Sequence, residues 1–191
     1  MRFKLLAVLL VAISPVHATL VTFEELPHTS GFDPVISGGF VFSSGNGTTL
    51  HVDDDLPWIE PWTTGNFLHV FSWPGAGSSL NITRADGLAF DLHSFDLLKQ
   101  GAPISVTGYN ALDQQVASLG YYPGTTVVFN DDWNNVSRIN FEDGVHSGFG
   151  GTYFGIPIDN FSATVVPIPG AVWLFGTALA GLGWIRRSNK S

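Results

Sequence analysis

Between residues 19 and 166 the chain alternates short apolar runs with clusters of turn-forming residues. No stretch there sustains the 3.6-residue apolar period of an amphipathic helix. The runs predict strands at 20–25, 39–43, 48–52, 66–72, 79–83, 88–92, 94–99, 103–110, 116–122, 125–129, 136–142, 151–156 and 159–166. The separators carry Gly, Pro, Asn or Asp, which supply the backbone angles of tight turns. Several runs alternate cleanly: Phe95 with Leu97, Ile104 with Val106, Ile139 with Phe141, and Phe161 with Ala163 and Val165. Strands with one buried face belong in antiparallel sheets. About ten of them at short spacing predict an all-β, jelly-roll-like sandwich, with residues 28–38 and 53–65 as longer loops.

The two ends follow a different pattern. Arg2 and Lys4 precede an unbroken apolar run from Leu5 to Ile13, Pro15 breaks it, and Val16-His17-Ala18 places small residues where a signal peptidase cuts. A secretory leader over 1–18 is the reading. A retained anchor is the alternative, but nine apolar residues span only ~14 Å as a helix. At the other end Gly170 to Ile185 is free of charge, Pro169 can open a helix, and Arg186, Arg187 and Lys190 form a basic stop. A helix over 169–185 measures roughly 26 Å, at the lower limit for a hydrocarbon core of ~30 Å. The chain thus divides into a leader (1–18), a β-sandwich ectodomain (19–164) and a C-terminal segment (165–191).

Setting the ends aside changes the charge picture. Only Arg84, Lys99 and Arg138 remain between residues 19 and 166, against all sixteen acids, a balance of −13. A body so anionic has no basic stripe to replace phosphate counterions, which excludes nucleic acid and disfavours anionic lipid heads. There is no cysteine, so thiol catalysis and thiolate metal sites are excluded.

Val166-Pro167-Ile168-Pro169-Gly170, one short apolar helix and a terminal basic cluster together resemble the PEP-CTERM sorting signal of Gram-negative bacteria in its VPxPA form. Gly170 stands where that form usually has Ala. The resemblance implies handling by exosortase, an integral membrane transpeptidase that cuts at the motif. The product would be delivered to the envelope or the outside, in organisms that make exopolysaccharide matrices. On this reading the helix is a handle that is discarded; a permanent single-span anchor is the alternative. The wording LAFDLHSFDLLKQGAPISVTGYN, then WNNVSRINFE, then FGIPIDNFSATVVP is similar to ectodomains that precede this signal, which implies fold and destination but no activity.

Candidate chemistry follows from the side chains. In jelly-roll sandwiches the first and last strands are often neighbours and a structural calcium ion can join them. Glu24, Asp159 and Asn160 are the hard-oxygen donors so placed; a solvated Glu24 beside an Asp-Asn turn is the alternative. Trp58 and Trp62 flank Glu60 in PWIEPW, an arrangement suited to stacking on the apolar faces of sugar rings. Trp73, Trp133, Tyr121 and Tyr122 lie near other loops, where rings also serve simply to cap a core. The histidines form no H-E-x-x-H, and no G-x-S-x-G is present. Sixteen acids allow a carboxylate pair for glycoside hydrolysis, but no spacing singles one out. The expectation is therefore an exported, non-enzymatic protein that binds carbohydrate or adheres within an exopolysaccharide matrix. A secreted polysaccharide hydrolase is the alternative.

Overall fold

The computed structural model describes residues 18–45, 48–54, 65–72, 77–98, 104–121, 124–143, 154–165 and Gly176. All but Gly176 lie in one compact unit, His17–Val166. The leader up to His17, the motif 166–170, the span 169–185 except Gly176, and Arg186, Arg187 and Lys190 lie outside the described residues, as do Trp58, Glu60, Trp62, Trp73 and Tyr122. No helix among the described residues is long and apolar enough to cross a membrane.

In chain order the strands are β1 (Ala18–Val21), β2 (Thr29–Phe32), β3 (Val35–Ser37), β4 (Phe40–Ser44), β5 (Thr49–Asp53), β6 (Phe67–Ser72), β7 (Ser79–Arg84), β8 (Phe90–Leu97), β9 (Ile104–Tyr109), β10 (Gln115–Tyr121), β11 (Thr125–Val128), β12 (Arg138–Asp143) and β13 (Phe154–Val165), with a 3-10 turn at Asp131–Trp133 before β12. They form two antiparallel sheets. One runs β11-β8-β13-β6-β5-β2, with β1 added beside β13; the other runs β10-β9-β12-β7-β4-β3. Val21 of β1 sits opposite Phe161 of β13, so first and last strands are neighbours, as anticipated for a jelly-roll-like sandwich.

Alternation explains the packing. Ile104 and Val106 of β9, Ile139 and Phe141 of β12, and Leu80 and Ile82 of β7 are buried, and they meet Leu50, Leu68, Ile156 and Ile158 from the other sheet in one core. Phe40 and Phe42 meet Phe161 edge-on at 5.0 and 5.7 Å between centroids, and Phe95 meets Phe141 at 4.9 Å. The two sheet faces therefore interlock through rings, each buried Phe contributing on the order of 2–3 kcal/mol.

Beyond the first strand, which is Ala18–Val21 rather than 20–25 and leaves Glu24 in the turn that follows it, the structure corrects the strand boundaries at three places. The expected runs 88–92 and 94–99 are one strand, β8: Phe90 and Leu92, then Phe95 and Leu97, all face the core, and the register slips opposite Ser94. One extra residue in a bulge restores the inward face after an alternation break. Likewise 151–156 and 159–166 join in β13, where Asn160 takes φ 48° and the register shifts between Asp159 and Ser162. Asparagine tolerates that left-handed angle better than most residues. Third, the expected loop at 28–38 contains β2 and β3, strands of four and three residues that are too short to show a period.

Candidate functional site

The outer face of the six-stranded sheet carries an ordered set of polar side chains. Because Val106, Ile139, Ile82 and Phe42 point inward, their neighbours point out. Strand register then lines up Ser118, Thr107, Asn140, Asn81 and Ser43, one from each of β10, β9, β12, β7 and β4. With strands ~4.8 Å apart, this row runs about 19 Å across the sheet. Gln115, Tyr109, Arg138, Thr83 and Val41 form a parallel row on one side, and Gly120, Ser105, Glu142 and Ser79 another on the opposite side.

Two features order this face. Asn140 is nearly buried, and its Nδ2 donates to Ser79 Oγ at 3.0 Å and to Asn81 Oδ1 at 3.1 Å, binding β12 to β7 through side chains. Arg138 lays its guanidinium over the Tyr109 ring, 3.8 Å from the centroid, donates to Asn81 Oδ1 at 3.3 Å and to Asp113 Oδ1 at 2.6 Å. Asp113 sits in the β9–β10 turn at φ 58°. Its backbone N–H donates to Asn110 O, and Asn110 Oδ1 accepts from the backbone N–H groups of Leu112 and Gln114. The turn therefore presents the carboxylate to the cation. Stacking and bonding on several sides hold a planar guanidinium in one orientation. Sequence reasoning marked Arg138 only as one of three basic residues in the body. Its signal was the alternation of Arg138, Asn140 and Glu142 with Ile139 and Phe141.

The calcium candidates are brought near one another, but each already has protein partners. Glu24 Oε1 accepts from the Asn66 backbone N–H at 3.0 Å, and a Cβ on Gly65 would collide with the same carboxylate. Asp159 Oδ1 accepts from the Asn160 N–H at 2.7 Å, and Asn160 Nδ2 donates to Asp96 Oδ2 at 2.8 Å. Asp159 lies inside β13 and not at the start of the last strand. Burial is the main reason its carboxyl is pushed up to about 6; the Asn160 N–H opposes the shift, and the charges of Asp96 and Glu24 add to it. Among the described residues no group of three carboxylates or histidines is arranged to hold a metal ion.

A raised carboxyl beside another acid is the chemistry of a general acid, but the described grooves do not contain it. One, of about 450 Å³ between β10 and the 3-10 turn, is lined by Val116, Leu119, Val128 and Asn130 and holds one carboxylate, Asp132. The other, of about 210 Å³, is apolar, with Phe32, Pro34 and Ile36. Trp133 is fully buried and meets Phe129 edge-on at 4.6 Å, so this ring caps the core. His69 is buried on the outer side of β6, opposite Pro157; burial, reinforced by His51, lowers its pKa to about 4.

No family model matches the chain, and no curated protein does. Among solved structures the fold is similar to a DUF4465 family protein from Bacteroides caccae, at 13% identity over 77% of this chain and 98% of that one, with a TM-score of 0.50. A family 29 carbohydrate-binding module variant aligns at 19% identity over 81% of this chain and 99% of that one, TM-score 0.46. Another variant, complexed with mannohexaose, aligns at 16% over 81% and 100%, TM-score 0.46. The likeness to the DUF4465 protein is one of fold alone.

Proposed function

We propose that this is an exported, non-enzymatic carbohydrate-binding protein of the cell envelope or extracellular matrix, and that the outer face of the six-stranded sheet holds the glycan. The observation that carries the reading is the in-register row Ser118–Thr107–Asn140–Asn81–Ser43 beside the Arg138–Tyr109 stack. Sugars are recognised by hydroxyl-to-amide and hydroxyl-to-hydroxyl hydrogen bonds from side chains that are already oriented, which limits the ordering cost of binding. Asn140 and Asn81 orient each other, so the Asn140 Oδ1 acceptor and the Asn81 Nδ2 donor are the groups a sugar hydroxyl would address.

The ends of the chain support its destination. The leader 1–18 would take it through the inner membrane, and an exosortase-type transpeptidase would act at Val166–Gly170 while the 169–185 helix holds the chain in the membrane. The partner outside is then an exopolysaccharide.

A glycan array with the full chain tests the reading. Retention of one or more polysaccharides, lost in Arg138→Ala and Asn140→Ala variants that melt normally, is the expected result. Absence of any retained glycan at high protein concentration overturns it.

A further inference from the structure

We infer that the face accepts an uncharged glycan lying across the strands, and that Asp113 is the residue that excludes polyuronates. This rests on the carbohydrate-binding reading above and adds the ligand's charge, direction and length.

Among the described residues, the charged groups on or beside this face are Arg138, Asp113 and Glu142. An Arg fork is the usual means of gripping a sugar carboxylate. Here that fork is already engaged: Asp113 takes one end, Asn81 the other, and the Tyr109 ring covers one side of the plane. A uronate arriving at Arg138 would have to displace Asp113, or remain within a few ångströms of it, with Glu142 further along the same strand and a body of charge −13 behind it. A neutral hydroxyl meets no such repulsion and can share donors and acceptors that the network already orients.

Direction follows from register. The polar row crosses five strands over about 19 Å, room for about four pyranose rings. Along β12 itself the outward-facing positions are Arg138, the nearly buried Asn140 and Glu142, so a chain lying parallel to that strand would meet fewer polar groups and both charges.

Calorimetric titration of the full 191-residue chain in detergent micelles separates the outcomes. The probes are cellohexaose, mannohexaose, xylohexaose and laminarihexaose against hexagalacturonate and hexamannuronate. In the wild type, the best neutral hexasaccharide should bind at least tenfold more tightly than either uronate. Asp113→Asn keeps a side chain that tolerates the positive φ, and it should narrow that gap at least threefold by raising uronate affinity. The gain should fade as salt is added. Neutral ligands of two to six units should tighten up to about four and then level off. A uronate that binds the wild type as well as any neutral probe, or an unchanged ratio in folded Asp113→Asn, overturns the inference while the carbohydrate-binding reading stands. Levelling at two units overturns the placement across the strands. Silence of every probe and of the glycan array alike removes both.

Discussion

The indole of Trp133 packs on the backbone of Gly108: a Cβ at that glycine would stand 3.2 Å from Cε3 and Cζ3 of the ring and 3.2 Å from Cγ1 of Val136. The close approach of ring and strand lets the 3-10 turn at Asp131–Trp133 close the end of the core beneath β9. Gly108→Ala is therefore expected to cost about 1–3 kcal/mol, because two rigid groups must give way at once. Urea denaturation measures this as a lower midpoint at unchanged slope. An unchanged midpoint would mean that the ring moves aside freely.

Two buried titrating groups should pull stability in opposite directions across the same pH window. Asp159 titrates at about 6 in the folded chain against an ordinary 3.8, so between those values the folded state holds the extra proton and stability falls as pH rises. His69 titrates at about 4 against an ordinary 6.5, so the unfolded state holds the extra proton and stability rises with pH. The native profile should be flat from pH 4 to 6 relative to either variant. Asp159→Asn should steepen the rise and His69→Gln should turn it into a fall, each by on the order of 1–2 kcal/mol after allowance for solvent screening. Denaturation at pH 4, 5, 6 and 7 measures both slopes; identical profiles for the three proteins would refute the assignment.

Binding should map to the sheet face. Arg138→Ala and Asn140→Ala are each expected to weaken glycan affinity about tenfold, roughly 1.4 kcal/mol. A Trp58→Ala, Trp62→Ala double variant should keep most of the affinity. The reverse outcome would move the site to the segment 55–64, where Glu60 stands between Trp58 and Trp62 in the sequence. Titration of the same glycan into all three proteins decides.

Processing at the C-terminus is measurable by mass. From a producing host with an active exosortase-type peptidase, the mature protein should lack the residues that follow the Val166–Gly170 motif. Replacing Pro167 and Pro169 by Ala should leave a chain that still ends at Ser191 in the membrane fraction. An intact mature chain in the wild type would favour the permanent-anchor alternative.

The candidate calcium residues show how far a pattern can be followed. That first and last strands would be neighbours was legible from the fold class, and β1 does lie against β13. That Glu24 accepts from the Asn66 N–H, and that Asn160 occupies a bulge with its amide on Asp96, was not: both depend on partners 42 and 64 residues away. The strands at 39–43 and 103–110 were readable because their apolar positions alternate. The bulges in β8 and β13 were not, because an extra residue breaks the alternation locally and reads as a gap between strands.

By itself the sequence determined an anionic body, free of cysteine and built from alternating strands, between an apolar N-terminal run and an apolar tail with a basic end. These properties follow from composition and nearest-neighbour period, which need no knowledge of what lies opposite. Only the tertiary structure decided that Ser118, Thr107, Asn140, Asn81 and Ser43 share one row and that Arg138 is held by Asp113, Asn81 and Tyr109. Side-chain period says which face a residue takes, whereas strand order and register, set by packing across the whole core, say which residues stand beside it.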